Sequence, residues 1–141
     1  MSSDSSRGER NMRQLSYIAI NQLKDQDDDL VIKAEELVDD LTENQERQLR
    51  IILSMAENSK SWNAVRLFMK YQAARKQIDM DWTEVAIGKL EALENDAKSI
   101  AATTGDNIKD LHMELISKIL GYAIRRHVWN NAKAKPKEKK A

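Results

Sequence analysis

The chain has 141 residues and no cysteine, and its 23 Lys and Arg residues balance 23 Asp and Glu residues, so its formal net charge is zero. The absence of cysteine excludes disulfides, thiolate nucleophiles and zinc sites with cysteine ligands. One Pro, four Gly and many Ala, Leu, Lys and Glu residues are typical of a helical protein of one domain.

The predicted elements, in chain order, are all helices. The first ten residues are rich in Ser and in charge, so we expect them to be disordered. Apolar residues then recur every three to four positions and predict helices over residues 11–24, 27–41, 42–58, 61–78, 81–102 and 106–131. The fold prediction is an all-α compact bundle of five to six helices, one domain over residues 11–132, followed by a basic disordered tail over 133–141.

Helix starts are predicted from polar side chains that can accept hydrogen bonds from free backbone N–H groups. In chain order these are Thr42 with Gln45, Ser59 or Ser61, Asp81 with Glu84, and Asp106. Thr103-Thr104-Gly105-Asp106 is the clearest turn in the sequence, and it separates the fifth helix from the last one.

No apolar run approaches the roughly 18 residues that a membrane-spanning helix needs. The opening residues also lack the apolar segment of a secretory signal. We therefore expect a cytoplasmic protein without membrane contact.

Charge is distributed in four alternating blocks. Residues 1–46 hold 12 acids and 5 bases, and residues 47–78 hold 1 acid, Glu57, and 7 bases. Residues 79–114 hold 9 acids and 3 bases, and residues 115–141 hold 1 acid and 8 bases. Such blocks either present charge to a polyanion or a neighbouring copy, or place oppositely charged helices side by side within one bundle.

The fourth predicted helix is apolar on two sides. Trp62, Val65, Met69 and Ala73 share one face, and the opposite face carries Ala64, Leu67, Tyr71, Ala74 and Ile78. Such a helix is central to its bundle, or it buries its second face against another molecule. Its polar strip includes Arg66 and Lys70, and the preceding helix carries a similar strip with Arg47 and Arg50. Two antiparallel helices could merge these strips into one basic surface.

The patterns of known enzyme sites are missing from the sequence. His112 and His127 are about four helical turns apart, so they cannot ligate one metal ion together. No phosphate-binding loop and no nucleophile elbow is present. We expect a protein that is not an enzyme and that needs no cofactor or metal.

One acidic segment partly fits a calcium-binding loop. Residues 25–36 place acids at loop positions 1, 3, 5 and 12, but Leu30 occupies the position that requires Gly. An acidic turn that favours the start of the second helix is the better interpretation.

The three Trp residues each open or close an apolar stripe, so core packing is expected for Trp62, Trp82 and Trp129. Stacking on unpaired bases is an alternative for Tyr71 or Trp129, but no alternation of basic and aromatic residues along the sequence supports it. Arg125 and Arg126 on the last helix add paired positive charge, of which one residue must face outward.

Two short segments carry a resemblance to a known family. They are Thr42 with Gln48-Leu49-Arg50-Ile51-Ile52-Leu53, and Leu67-Phe68-Met69-Lys70-Tyr71-Gln72-Ala73-Ala74-Arg75. They resemble the small helical subunit of type III CRISPR effector complexes, which tends to show a Gln-Ile-Arg-like triplet and a later Leu-x-Tyr-x-Ala-x-Arg-like element. Glu114, Leu115 and Tyr122 loosely resemble its last helix, whereas residues 1–46 and the basic tail have no counterpart.

The resemblance implies a non-catalytic subunit that stacks in several copies along the guide RNA and target RNA, beside other subunits that cut. It would bind the nucleic-acid backbone without sequence preference. By position in the motifs, Arg50 and Arg75 inherit the family's arginines, and Arg75 could equally anchor one helix to another. The expected RNA-binding set is Arg47, Arg50, Arg66, Lys70, Arg75, Arg125 and Arg126. The alternative is a helical protein–protein scaffold or adaptor without a nucleic-acid role.

Overall fold

The computed structural model describes residues 14–140, with side chains described through residue 134. Six helices form one compact bundle, and the regular structure of the described residues is entirely helical. Their bounds are α1 Tyr17–Asp25, α2 Asp27–Val38, α3 Glu46–Glu57, α4 Trp62–Ala74, α5 Met80–Thr104 and α6 Ile108–Lys140. The all-α prediction is confirmed.

The predicted domain runs from residue 11 to residue 132, and the structure bears on its two boundaries in different ways. The predicted disorder of residues 1–10 lies outside the described residues. The helix α6 runs to Lys140, past residue 132, where the sequence places the end of the domain. Nothing further is described for the side chains after residue 134.

The central helix of the bundle is α6. It packs against α2, α3 and α5. Its segment from Leu111 to Ser117 is buried at every position except Glu114, which is partly buried. Further along the helix, Leu120 and Ala123 are also buried in the core. A helix that is apolar nearly all round is buried on all sides. The two apolar faces of the fourth helix made it a candidate for the centre of the bundle, but the central helix is α6.

In α5 and α6 the capping residue differs from the predicted one. Asp79, rather than Asp81, caps α5 by accepting a hydrogen bond from the backbone N–H of Trp82 at 2.8 Å. Asn107, rather than Asp106, accepts from the backbone N–H of Asp110 at 3.0 Å in the first turn of α6.

Asp106 instead joins the turn between α5 and α6 to the start of α1. Its carboxylate accepts from the backbone N–H and the hydroxyl of Ser16, at 2.7 and 2.6 Å. The Ser16 hydroxyl in turn accepts from the backbone N–H of Ala19 and caps α1, which begins at Tyr17 rather than near residue 11. The hydrogen bonds from Ser16 lower the pKa of Asp106 below its usual value.

Other predicted ends are confirmed or shifted. Ser61 is the cap of α4. The helix α5 runs to Thr104, two residues past its predicted end, and Gly105 ends it with a left-handed φ of 80° inside the predicted turn. The helix α4 ends at Ala74 instead of Ile78, because Lys76 takes a positive φ of 64° and turns the chain.

The start of α3 depends on a histidine from α6. The helix begins at Glu46, its N-cap Gln45 has no side-chain capping bond, and Thr42 lies outside the helix, so the predicted pairing of Thr42 with Gln45 is wrong. The backbone N–H of Gln45 donates to Nε2 of His127 at 2.9 Å. A tertiary contact thus satisfies the N–H group at this helix end.

No helix within the described part of the chain is both long enough and apolar enough to cross a membrane.

Candidate nucleic-acid interface

The alternating charge blocks pair with one another inside the bundle. Among the described residues, three ion pairs join the acidic first block to the basic last block: Lys118 binds Asp27 at 3.3 Å, and Arg126 binds Asp39 at 2.8 Å and Glu35 at 3.3 Å. Arg66 joins the basic second block to Glu91 of the acidic third block at 3.4 Å. Part of the positive charge is therefore paired with acidic side chains of neighbouring helices.

Arg126 is the most fully engaged of the predicted RNA-binding residues. Its Nε and Nη2 donate to the two carboxylate oxygens of Asp39, at 2.8 and 3.2 Å, and its Nη1 donates to Glu35 at 3.3 Å. The bonds from Arg126 lower the pKa of Asp39, and Asn130 assists by donating to the same carboxylate. Since the guanidinium is already bound in two directions, Arg126 ties α6 to α2.

Arg66 and Arg50 are each paired at one side. Arg66 lies beside α5, where Glu91 also accepts from the indole Nε1 of Trp62 at 3.2 Å, and this indole bond is the main cause of the lowered pKa of Glu91. Arg50 binds Glu46 one turn earlier at 2.9 Å. The side chain of Arg50 remains 60% exposed, so this surface pair restrains its charge without hiding it.

The motif residues of the CRISPR resemblance form a polar contact between α3 and α4. Nε2 of Gln72 donates to Oε1 of Gln48 at 2.8 Å, and both side chains are buried. Arg75 donates to Oε1 of Gln72 at 3.3 Å, while its guanidinium lies 5.2 Å from the ring centre of Tyr71. Arg75 therefore supports the helix contact, and its residue remains exposed.

The basic strips of α3 and α4 do not merge. Around α4, from the side that faces α3 to the side that faces α5, the order is Gln72, Tyr71, Leu67, Lys70 and Arg66. Tyr71 and Leu67, which we call the α4 apolar band, separate the two strips and are 55% and 67% exposed. The second apolar face of this helix is thus largely uncovered, although Ile78 beyond the helix end is buried.

Arg47 and Lys70 keep their charge free. Both are exposed, and within residues 14–134 neither has an acidic side chain in ion-pair range. They stand on either side of the α4 apolar band, one on α3 and one on α4. They are the two predicted RNA-binding residues on these helices whose charge no other group of the bundle engages.

The end of α6 departs from the sequence interpretation. Trp82 is buried and donates to the backbone oxygen of Leu37 at 2.7 Å, as core packing predicts. Trp62 is half-buried, but Trp129 is 57% exposed, so its assignment to the core is wrong. At this point α6 buries His127 and Ile124 instead, and Trp129 falls on its outer face.

Arg125 is exposed on that outer face, and its guanidinium lies 5.7 Å from the ring centre of Tyr122. Lys133 lies 5.5 Å from the ring centre of Trp129 in the same manner. The sequence interpretation missed this pairing, although the spacing of four residues in Trp129 and Lys133 is visible in the sequence.

The acidic segment 25–36 is not a loop. Its residues from Asp27 onward belong to α2, and Asp27, Asp28 and Asp29 occupy the first helical turn. The preferred interpretation, acids at a helix start, is confirmed because negative charge there interacts favourably with the helix dipole. Within the described residues no group of three or more His, Asp or Glu side chains is arranged to hold a metal ion.

Comparison with protein-family models, with curated proteins and with solved structures finds no match to this chain in any of the three.

Proposed function

We propose that this chain is a non-catalytic, RNA-contacting subunit of a cytoplasmic ribonucleoprotein assembly, of the kind represented by the small subunit of type III CRISPR effector complexes. Several copies would stack along the guide RNA and target RNA, next to other subunits. The observation that carries the proposal is the charge of Arg47 and Lys70, which are exposed and have no acidic partner among the described residues, whereas Arg50 and Arg66 on the same two helices are paired with acids.

The balance of charge on α3 and α4 supports this role. Glu57 is the single acid of residues 47–78, and Glu46, just before that block, is bound by Arg50. Arg47, Arg50, Lys70, Arg75 and Lys76 are all exposed. Lys and Arg residues about one helical turn apart can contact successive phosphates, which positions a strand without reading its bases.

The surface is smaller than the sequence suggests. Arg126 and Arg66 bind acids of neighbouring helices, so we leave them out of the proposed contact set. Arg125 remains in it, on a separate face formed by α6.

The assignment to a CRISPR complex rests on the short motifs alone. Part of the motif signal has a structural explanation, since Gln48 and Gln72 hold α3 against α4. The α4 apolar band offers an exposed apolar face that a neighbouring copy could cover, as stacking requires.

RNA binding tests the proposal through matched charge variants. The first variant changes Arg47, Arg50 and Lys70 to Gln, and the control changes Lys89, Lys98 and Lys109, three exposed lysines of the acidic block, to Gln. Both lose the same net charge. We expect the first variant to bind single-stranded and guide-paired RNA roughly tenfold more weakly at about 50 mM salt, with a shallower salt dependence, and the control to bind like the wild type.

An equal loss in both variants would show attraction by net charge alone and would contradict a defined surface. If the isolated protein binds no RNA, the same comparison is made in the assembled complex by cross-linking to its RNA, where absence of cross-links overturns the proposal.

A protein–protein scaffold is the second candidate function. The internal pairing of the charge blocks and the exposed α4 apolar band favour it. RNA binding distinguishes the two. Both candidates predict an association, measured by sedimentation velocity, that Leu67→Asp weakens, but a scaffold without an RNA role would leave RNA unbound.

A further inference from the structure

The outer face of α6 carries a row in which cationic and aromatic residues alternate. Lys118, Tyr122, Arg125, Trp129 and Lys133 follow one another at spacings of four, three, four and four residues. At 100° per residue these five positions fall within about 80° of one another around the helix. They form a single stripe along the helix, which we call the α6 stripe.

The inner end of the α6 stripe is tied to α2. The Tyr122 hydroxyl donates to Asp27 at 3.0 Å, and Lys118 binds the same carboxylate oxygen at 3.3 Å. Burial and the bond to Asp27 raise the pKa of Tyr122. These contacts hold Lys118 and Tyr122 against α2.

The outer end is open. Arg125, Trp129 and Lys133 are exposed, and Val128 beside them is partly so. Among the described residues, Arg125 and Lys133 have no acidic partner; Arg125 lies over the ring of Tyr122, and Lys133 lies over one face of the Trp129 indole. A Trp that leaves more than half of its surface in water gives up much of the stabilisation its burial would supply. Covering the indole is therefore favourable for any flat apolar ligand that can reach it.

The surrounding charge selects the chemistry of that ligand. Residues 115–134 contain four cations and no acid. The acids of α2 that face α6 here, Glu35 and Asp39, are bound by Arg126, and Asn130 also binds Asp39. A ligand at Trp129 thus meets an exposed aromatic ring with Lys133 over it and Arg125 about one turn away on the same stripe, and neither cation is paired with an acid among the described residues. Single-stranded nucleic acid combines the two complementary groups, since bases stack on aromatic rings and phosphates pair with cations.

We propose that the outer end of the α6 stripe is a stacking platform on which an unpaired base of single-stranded nucleic acid lies against Trp129, with Arg125 and Lys133 binding the adjoining phosphates. The inference rests on the nucleic-acid role proposed above. That role involves contacts to the phosphate backbone, and the platform adds a contact to a base.

A comparison of normal and abasic strands tests base stacking directly. Labelled oligouridylate, oligothymidylate and an abasic strand, each of about 12 nucleotides, are titrated with the full-length protein. We expect Trp129→Ala to weaken binding of both base-bearing strands by roughly 5- to 100-fold, which corresponds to the loss of one stacked base. Trp129→Tyr should retain most of the affinity, since a phenol ring also stacks. Binding of the abasic strand should be the same in all three proteins.

Tyr17→Ala serves as the matched control, because Tyr17 is an exposed aromatic residue on α1, away from the stripe. It should bind every strand like the wild type. Tighter binding of the uridine strand than of the thymidine strand would identify RNA as the preferred ligand, and equal binding would indicate that the base face alone is used; both outcomes support the platform.

The outcomes that overturn the platform differ from those that overturn the proposed function. If Trp129→Ala binds the base-bearing strands as tightly as the wild type, or loses the abasic strand equally, the platform is wrong while backbone binding stands. If the wild type binds no strand and also forms no cross-link to RNA in the assembled complex, both fail. If Trp129→Ala changes the oligomeric state in sedimentation velocity and leaves strand binding unchanged, the face is a protein contact. Circular dichroism confirms that each variant is folded.

Discussion

Nε2 of His127 on α6 accepts a hydrogen bond from the backbone N–H of Gln45, 2.9 Å away at the start of α3. The imidazole is fully buried, and its Nδ1 has no partner among the described residues. Since Nε2 must be unprotonated to accept, this contact exists only while the ring is neutral. It makes the start of α3 depend on the protonation state of a residue that is distant in the sequence.

Stability should therefore fall on mild acidification. Burial lowers the pKa of His127 below its usual value near 6.5, and the Glu46 carboxylate nearby opposes that shift. The unfolded chain takes up this proton near pH 6.5 and the folded chain only at lower pH, so the free energy of unfolding decreases as pH falls below about 6.5 and levels off near the folded pKa. Urea unfolding between about pH 8 and 5.5 measures this dependence.

His127→Gln is the matched variant, because an amide oxygen can replace Nε2 as acceptor and does not titrate. It should flatten the pH dependence relative to the wild type, whereas an unchanged dependence would contradict the assignment to His127. His127→Ala should cost about 2–4 kcal/mol at neutral pH, since it leaves a cavity and an unpaired N–H group.

The buried pair Gln48 and Gln72 should show a strong coupling in a double-mutant cycle. Gln72→Leu alone leaves the amide of Gln48 buried without its partner, which should cost roughly 1–3 kcal/mol. Changing both residues to Leu removes both polar groups and should recover much of that loss. Urea unfolding of the four proteins gives the coupling energy, and additive effects would show that the bond contributes little.

Two glycines should respond to Ala in opposite directions. At Gly105 the φ is 80°, and a Cβ would meet no atom within 4 Å, so Gly105→Ala should cost about 1 kcal/mol through backbone strain alone. At Gly88, inside α5, a Cβ likewise meets nothing within 4 Å, and Ala is the better helix former, so Gly88→Ala should stabilise by roughly 0.5–1 kcal/mol. Thermal unfolding followed by circular dichroism compares the two, and shifts of the same sign would contradict the backbone argument.

The contact of Arg126 with Asp39 should depend on the shape of the guanidinium. Arg126→Lys keeps the charge but cannot bind both carboxylate oxygens and Glu35 together, so it should lower the melting temperature. Arg126→Gln should lower it further at low salt, and the difference between the two variants should shrink at about 1 M salt, where the charge interaction is screened. If Lys fully replaces Arg, the paired geometry has no role in stability.

Several features of the fold were predictable because they depend on local sequence. The existence and order of the helices follow from apolar spacing, Ser61 from its capping chemistry, and Gly105 from the conformation that a helix end requires. The starts of α3 and α6 were not predictable in this way. His127 provides the bond at α3, and Asp106 binds Ser16 instead of capping α6.

The residues of the candidate sites likewise divide into those that the sequence could identify and those that depend on tertiary packing. The sequence identified Arg47 and Lys70 as cations on helical strips, but the engagement of Arg66 by Glu91 and of Arg126 by Asp39 depends on which helices become neighbours. Trp129 was assigned to the core from its place on an apolar stripe, and only the packing of α6 between its neighbours puts it on the outside.

By itself, the sequence determined an all-α bundle and four alternating blocks of charge, because helix period and charge are properties of short segments. The tertiary structure decided which charges neutralise one another and which remain at the surface. The physical reason is that an ion pair or a buried histidine contact needs two groups from distant segments, and their meeting is set by how the helices share one core.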